Sequence, residues 1–131
     1  MIGIDTNVLV RYFMLDDAHQ SAKAAAFINS LSSSNKGFVS LVVLVELVWV
    51  LSYVFQLKRR DVRTTLGKLI AMPELKVEGS VQCLQALRLF DVSTADFADC
   101  LIICVAKRAR CSELVTFDRK AARLPGAIYI G

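Results

Sequence analysis

Four acidic residues fall where the chain reads as strand ends or helix starts: Asp5, Glu46, Asp99 and Asp118. Asp5 closes the short apolar run Met1-Ile2-Gly3-Ile4 and is followed at once by polar Thr6 and Asn7. Asp118 repeats that arrangement after the apolar run ending in Thr116-Phe117. In an open parallel sheet such ends face a crevice outside the carboxyl edge of the strands. Carboxylates gathered there repel one another unless a cation neutralises them. With no His or Cys cluster nearby, hard oxygen donors point to Mg²⁺ or Mn²⁺, ions that keep several waters and are completed by substrate phosphate. An ion held this way activates water and stabilises the charges of an in-line displacement. The chemistry indicated is phosphodiester hydrolysis.

Each acid also has a plainer reading. Asp5 is a good N-cap and turn residue. Glu46 lies in an otherwise apolar stretch, where an unpartnered carboxylate is costly, so it is expected to meet a cation, a hydrogen-bond network or a water-filled cleft, or else to reach solvent. Ser93 and Asp96 match a capping box, a hydroxyl followed three residues later by an acid. Asp99 sits inside the apolar run Phe97 to Ile103 and has no such explanation. Arg11 follows Asp5 by one short helix, and Arg119, Lys120 and Arg123 follow Asp118; these cations could hold a phosphate backbone beside the acids.

The elements that must position these residues alternate between strand and helix. A short strand ends at Asp5, and short helical runs follow over residues 8–15 and 16–31. The polar break at 32–37 leads into a second strand at Phe38-Val39, and Ser40 caps an apolar helix extending to about Phe55. A basic helix begins at Lys58-Arg59-Arg60-Asp61, and a third strand covers Leu75 to Val77. Helices over 80–90 and up to about Arg110, a strand over 113–117 and a last strand over 127–130 complete the pattern. Strands separated by helices predict an α/β fold with a parallel sheet of four to five strands.

At 131 residues the chain is expected to form one domain, residues 1–131, with a substantial core. Hydrophobic residues make up 55% and charged residues 21%, which excludes disorder and leaves more apolar surface than one small core needs. A homodimer is the expected outlet, with Trp49 and Tyr53 on one helical stripe suited to the seam. Lys and Arg number 16 against 12 for Asp and Glu, so the net charge of +4 favours a polyanionic partner. Cys83, Cys100, Cys104 and Cys111 form no paired motif and read as reduced core or surface thiols. The apolar segment 38–55 approaches the length of a membrane span, but Glu46 at its middle argues against insertion. Without a recognisable signal peptide, the expectation is a cytoplasmic protein with no membrane partner.

In order along the chain, Ile4-Asp5-Thr6-Asn7-Val8-Leu9, Glu46 ahead of Leu47-Val48-Trp49-Val50-Leu51, Asp96-Phe97-Ala98-Asp99-Cys100-Leu101-Ile102 and Val115-Thr116-Phe117-Asp118-Arg119-Lys120 resemble the successive motifs of PIN-domain ribonucleases. The resemblance is closest to the VapC-type toxins of toxin–antitoxin pairs. It implies a three-layer α/β/α fold, a homodimer, Mg²⁺- or Mn²⁺-dependent cleavage of RNA, and a VapB-like antitoxin partner that covers the crevice. Carried over by position, Asp5, Glu46 and Asp99 would be the main acids around the metal and Asp118 the fourth, with Asp96 a possible auxiliary. Thr6, Asn7 and Thr116 would orient those carboxylates by hydrogen bonds. Asp99 is favoured over Asp96 because the apolar Cys100-Leu101-Ile102-Ile103 follows it, as in the family. Two other readings remain: a module of the same fold that binds RNA or scaffolds a partner without turnover, and a housekeeping RNA-processing nuclease. Aspartyl phosphotransferases fit poorly, because their second acid would fall where this chain has Asn7.

Overall fold

The computed structural model describes residues 1–131. Its elements are β1 (Ile2–Gly3), α1 (Thr6–Met14), α2 (Ala18–Ser30), β2 (Gly37–Val39), α3 (Leu41–Trp49), α4 (Arg59–Ala71), β3 (Leu75–Val77), α5 (Ser80–Val92), α6 (Phe97–Arg108), β4 (Leu114–Thr116) and β5 (Ala127–Tyr129). A π-helical turn, Val50–Val54, follows α3, and a 3₁₀ turn, Ala121–Arg123, precedes β5. All strand pairings are parallel, with helices as the crossovers, so the α/β class expected from the alternation is present. The strands number five, but their grouping departs from a single sheet of four to five. Hydrogen bonds join β1-β2-β3 in one ladder and β4-β5 in another. With strands of only two or three residues, each ladder is short.

The chain forms two compact units, Met1–Glu78 and Gly79–Gly131. In the first, Leu9 of α1, Leu44 and Leu47 of α3, Leu51 of the π turn, and Leu66 and Leu69 of α4 are fully buried. Positions 44, 47 and 51 form one stripe, and burying each leucine contributes roughly 1.5–3 kcal/mol. The opposite stripe of the same segment is uncovered: Val42 is 79% exposed, Trp49 56% and Tyr53 63%. The α-helix expected to reach Phe55 instead ends at Trp49, and the π turn closes with the Phe55 N–H donating to the Val50 carbonyl at 3.1 Å. That segment stays far short of a membrane span, and no helix is long and apolar enough to cross a bilayer.

Gly37 is required where β2 passes between its neighbours. A Cβ there would collide with Cδ1 of Ile4 and lie 3.0 Å from methyl carbons of both Leu31 and Leu75. In the second unit, α5 packs on α6 through Phe90 and Phe97, whose rings meet edge to face with centroids 5.9 Å apart. Cys83, Cys100 and Cys104 are buried there outside any disulfide and Cys111 is exposed.

Candidate functional site

An acidic pocket forms at the head of α6. Asp96, Asp99 and Asp118 line a cavity of about 330 Å³ together with Arg119 and Lys120. The local backbone places them for identifiable reasons. Asp96 occupies the N-cap of α6 with an extended backbone, and Asp99 falls in the first turn. Both acids thus sit at the positive end of the helix dipole.

The capping box expected from Ser93 and Asp96 does not form. It would need Ser93 at the N-cap, but the helix starts one turn later, at Phe97. The Ser93 hydroxyl instead accepts the Ala95 N–H at 3.4 Å and lies 3.9 Å from the Cys100 sulfur. The Asp96 side chain makes no capping bond. The structural explanation that the sequence offered for Asp96 is thereby withdrawn.

Asp118 follows β4 in a tight turn. One carboxylate oxygen accepts the Ala121 N–H at 2.9 Å, capping the 3₁₀ turn, and the Asp118 N–H donates to the Thr116 hydroxyl at 3.0 Å. Thr116 therefore holds Asp118 through its backbone, and the second carboxylate oxygen has no partner within the turn. Arg119 lies with its guanidinium 4.4 Å from the centre of the Tyr129 ring, a cation–π contact that fixes its direction. Tyr129 was not singled out in the sequence; its signal, an aromatic residue in the short last strand, is indistinguishable from core packing there. Arg123 lies on the 3₁₀ turn, exposed and outside the pocket lining.

The pocket perturbs Asp99. Burial pushes its pKa above the ordinary value of 3.8, and the charges of Asp118 and Asp96 push it the same way. Burial disfavours the charged carboxylate, and like charges beside it add to that effect. No group of three or more His, Cys, Asp or Glu side chains is gathered at coordinating range, and Asp118 and Asp96 act on Asp99 through their charge. Their donor chemistry, all hard oxygen, is of the kind that Mg²⁺ and Mn²⁺ favour, with Arg119 and Lys120 in the same lining.

The remaining expected residues belong to the first unit. Asp5 is the N-cap of α1, and one carboxylate oxygen accepts the Thr6 N–H at 2.8 Å. The Thr6 hydroxyl is buried without a hydrogen-bond partner, which is uncommon for a buried polar atom. Asn7 lines a second cavity, of about 310 Å³, with Arg11, Gln20, Lys23 and Phe27. Arg11 is engaged there: it donates to Gln20 at 2.6 Å and pairs with Asp16 at 3.1 Å. Glu46 is exposed on α3, on the stripe that carries Val42, Trp49 and Tyr53.

Comparison with known proteins bears on the family of the chain. The chain is 27% identical over 122 residues to a VapC ribonuclease of Aquifex aeolicus (strain VF5), covering 92% of this chain and 90% of that protein. The family model of the PIN domain matches residues 2–127, from β1 through the start of β5. The chain belongs to the PIN-domain family.

Proposed function

We propose that this protein is a metal-dependent endoribonuclease of the VapC toxin kind, hydrolysing RNA phosphodiester bonds. The observation that carries the reading is the pocket at the head of α6, where Asp96, Asp99 and Asp118 meet Arg119 and Lys120. Acids alone would repel an RNA strand, and cations alone would bind it without chemistry. Their combination suits a phosphate held beside a divalent ion. Similarity to a VapC ribonuclease supports the same substrate class and a VapB-like antitoxin as partner. The family match runs across both compact units, which supports residues 1–131 as a single PIN domain.

In this reading Asp5, Glu46, Asp99 and Asp118 are the catalytic acids and metal ligands, and Asp96 is an auxiliary one. A bound Mg²⁺ or Mn²⁺ would supply Lewis-acid charge and ease deprotonation of water. The protein's own residues do the rest. Thr116 steadies Asp118 through its backbone N–H, leaving one carboxylate oxygen outside the capping bond. The Thr6 N–H holds one Asp5 carboxylate oxygen, and in this reading the Thr6 hydroxyl and Asn7 orient the acids. Lys120 and the ring-anchored Arg119 neutralise phosphates on either side of the scissile one, with Arg123 and Arg11 as outlying backbone contacts. The exposed Val42, Trp49 and Tyr53 stripe supports a homodimer.

The test is cleavage of mixed cellular RNA by protein freed of any partner, with Mg²⁺ or Mn²⁺ and again with EDTA. Cleavage that EDTA abolishes is the expected result. Binding of RNA with no cleavage under any metal condition would replace this reading with that of a non-catalytic RNA-binding module.

A further inference from the structure

The second unit holds a cavity larger than the acidic pocket. It is a groove of about 590 Å³ between α5 and α6, whose lining includes Arg88 from α5 and Lys107 and Arg108 from the end of α6. No carboxylate lines it. None of these cations is in an ion pair, and the one polar contact among them joins Arg108 to the neutral amide oxygen of Gln82 at 3.3 Å. That bond orients the guanidinium and leaves its charge uncompensated. The apolar part of its lining is Leu89, the exposed Val92 and the buried Cys104. Lys107 and Arg108 at a helix C-terminus suit the dipole, but Arg88, in the interior of α5, has no such role.

We propose that this groove binds the sugar-phosphate backbone of single-stranded RNA at a distance from the acidic pocket, with base faces resting against its apolar lining. The substrate class rests on the function proposed above; the groove itself rests on its own charge and shape. Uncompensated cations around an apolar trough match a strand that presents phosphates on one side and π faces on the other. The position also fits. Lys107 lies eight residues beyond Asp99 on α6, about 12 Å along the axis and turned by about 80° around it. A strand crossing the helix obliquely would cover that span in about three to four stacked nucleotides. The acidic pocket would then act on a strand that the groove holds in place. An acidic protein segment is the competing occupant, since it too offers negative charge.

The experiment measures binding of a labelled single-stranded RNA of about 12 nucleotides to the whole protein in EDTA, so that cleavage plays no part, across a series of salt concentrations. The combined Arg88→Ala, Lys107→Ala and Arg108→Ala variant is expected to bind roughly tenfold more weakly at low salt. Its plot of log affinity against log salt should be shallower by about 2, at about 0.7 per lost phosphate contact on a single strand. A control losing the same formal charge from another face, Lys58→Ala, Arg60→Ala and Lys68→Ala, should leave most of the slope intact. Gln85→Glu, which changes the groove's charge with little change in shape, should weaken binding in the same direction and guards against misfolding of the triple variant.

An unchanged slope in both groove variants, or an equal loss in the control, overturns the proposal. So does displacement of the RNA by poly-glutamate at equal charge concentration, which would assign the groove to an acidic protein. Failure of the two readings is distinguishable. If wild type cleaves RNA with metal while the groove variants bind like wild type, only the groove falls. If groove-dependent binding is found without any cleavage, only the nuclease reading falls.

Discussion

Asp118 bears electrostatically on Asp99 within the pocket at the head of α6, and after burial it is the largest influence keeping the Asp99 proton in place. One acid comes from a turn after a short strand and the other from the first turn of a helix, so only the fold brings them together. Asp96 contributes the third and weakest push. Asp99→Asn is therefore expected to abolish metal-dependent RNA cleavage and Asp96→Asn only to reduce it, both with unchanged circular dichroism. Loss of cleavage in Asp96→Asn with retention in Asp99→Asn would exchange their roles.

Burial of Asp99, together with this repulsion, sets a pH dependence whose sign can be worked out. Asp99 keeps its proton to higher pH in the folded protein than in the unfolded chain, so between the two pKa values the native state binds more protons. Stability attributable to this group therefore falls as pH rises through that window. Asp99→Asn removes the penalty. The variant should melt above wild type at neutral pH in the absence of metal, and the difference should close as pH drops below 3.8, the ordinary value. A gap of constant size across that range would mean that the gain is not electrostatic.

How far the sequence alone revealed this site depends on the range of the interactions involved. Hydrophobic alternation and Gly, Ser and Pro breaks indicate the five strands and six α-helices, because those signals are local, but neither the π turn after Trp49 nor the 3₁₀ turn at Ala121–Arg123. Leu75 to Val77 was placed without error. The start of α6 was not, because Ser93 and Asp96 satisfy a capping pattern that the chain does not use, and the helix begins three residues later than that pattern implies. Strand grouping was equally illegible, since two-residue and three-residue strands carry no register information of their own. Asp99 stood out as an acid in an apolar run. Neither the Arg119 to Tyr129 contact nor the cation-lined groove could be seen, because each joins elements whose packing no local pattern encodes.

A divalent ion that relieves the crowding of Asp99 must also stabilise the fold. Mn²⁺ at about a hundredfold over its dissociation constant is expected to raise stability by about 2.7 kcal/mol, read as an increase in Tm. Asp118→Asn and Asp99→Asn should each shrink that increase. Tm values in wild type that do not respond to Mg²⁺ or Mn²⁺ at millimolar concentration would argue against the acids as a metal site.

Gly37 provides a check on the first unit that is independent of chemistry. Its position in β2 leaves no room for a methyl group among Ile4, Leu31 and Leu75. Gly37→Ala is expected to cost about 1–3 kcal/mol through overpacking, measured by urea denaturation. Trimming Ile4 to Val in the same chain should recover part of the loss, whereas Gly3→Ala, where a Cβ meets nothing within 4 Å, should be far milder. An equal loss at Gly3 and Gly37 would remove the packing explanation.

The uncovered stripe of α3 and its π turn leads to the last prediction. The Trp49 and Tyr53 rings lie 5.8 Å apart between centroids, tilted by 37°, with Val42 about two turns before Trp49, and the aromatic pair remains more than half exposed. Aromatic residues presented in this way are enriched at the centres of interfaces. The protein is expected to elute as a dimer by light scattering, and Trp49→Glu to convert it to a monomer. Because Trp49 lies outside the buried stripe of Leu44, Leu47 and Leu51, the substitution should alter the stability of the folded monomer by no more than about 0.5 kcal/mol. Dimers that persist in Trp49→Glu would place the seam on another face, and a monomeric wild type would leave the stripe without a homodimer role.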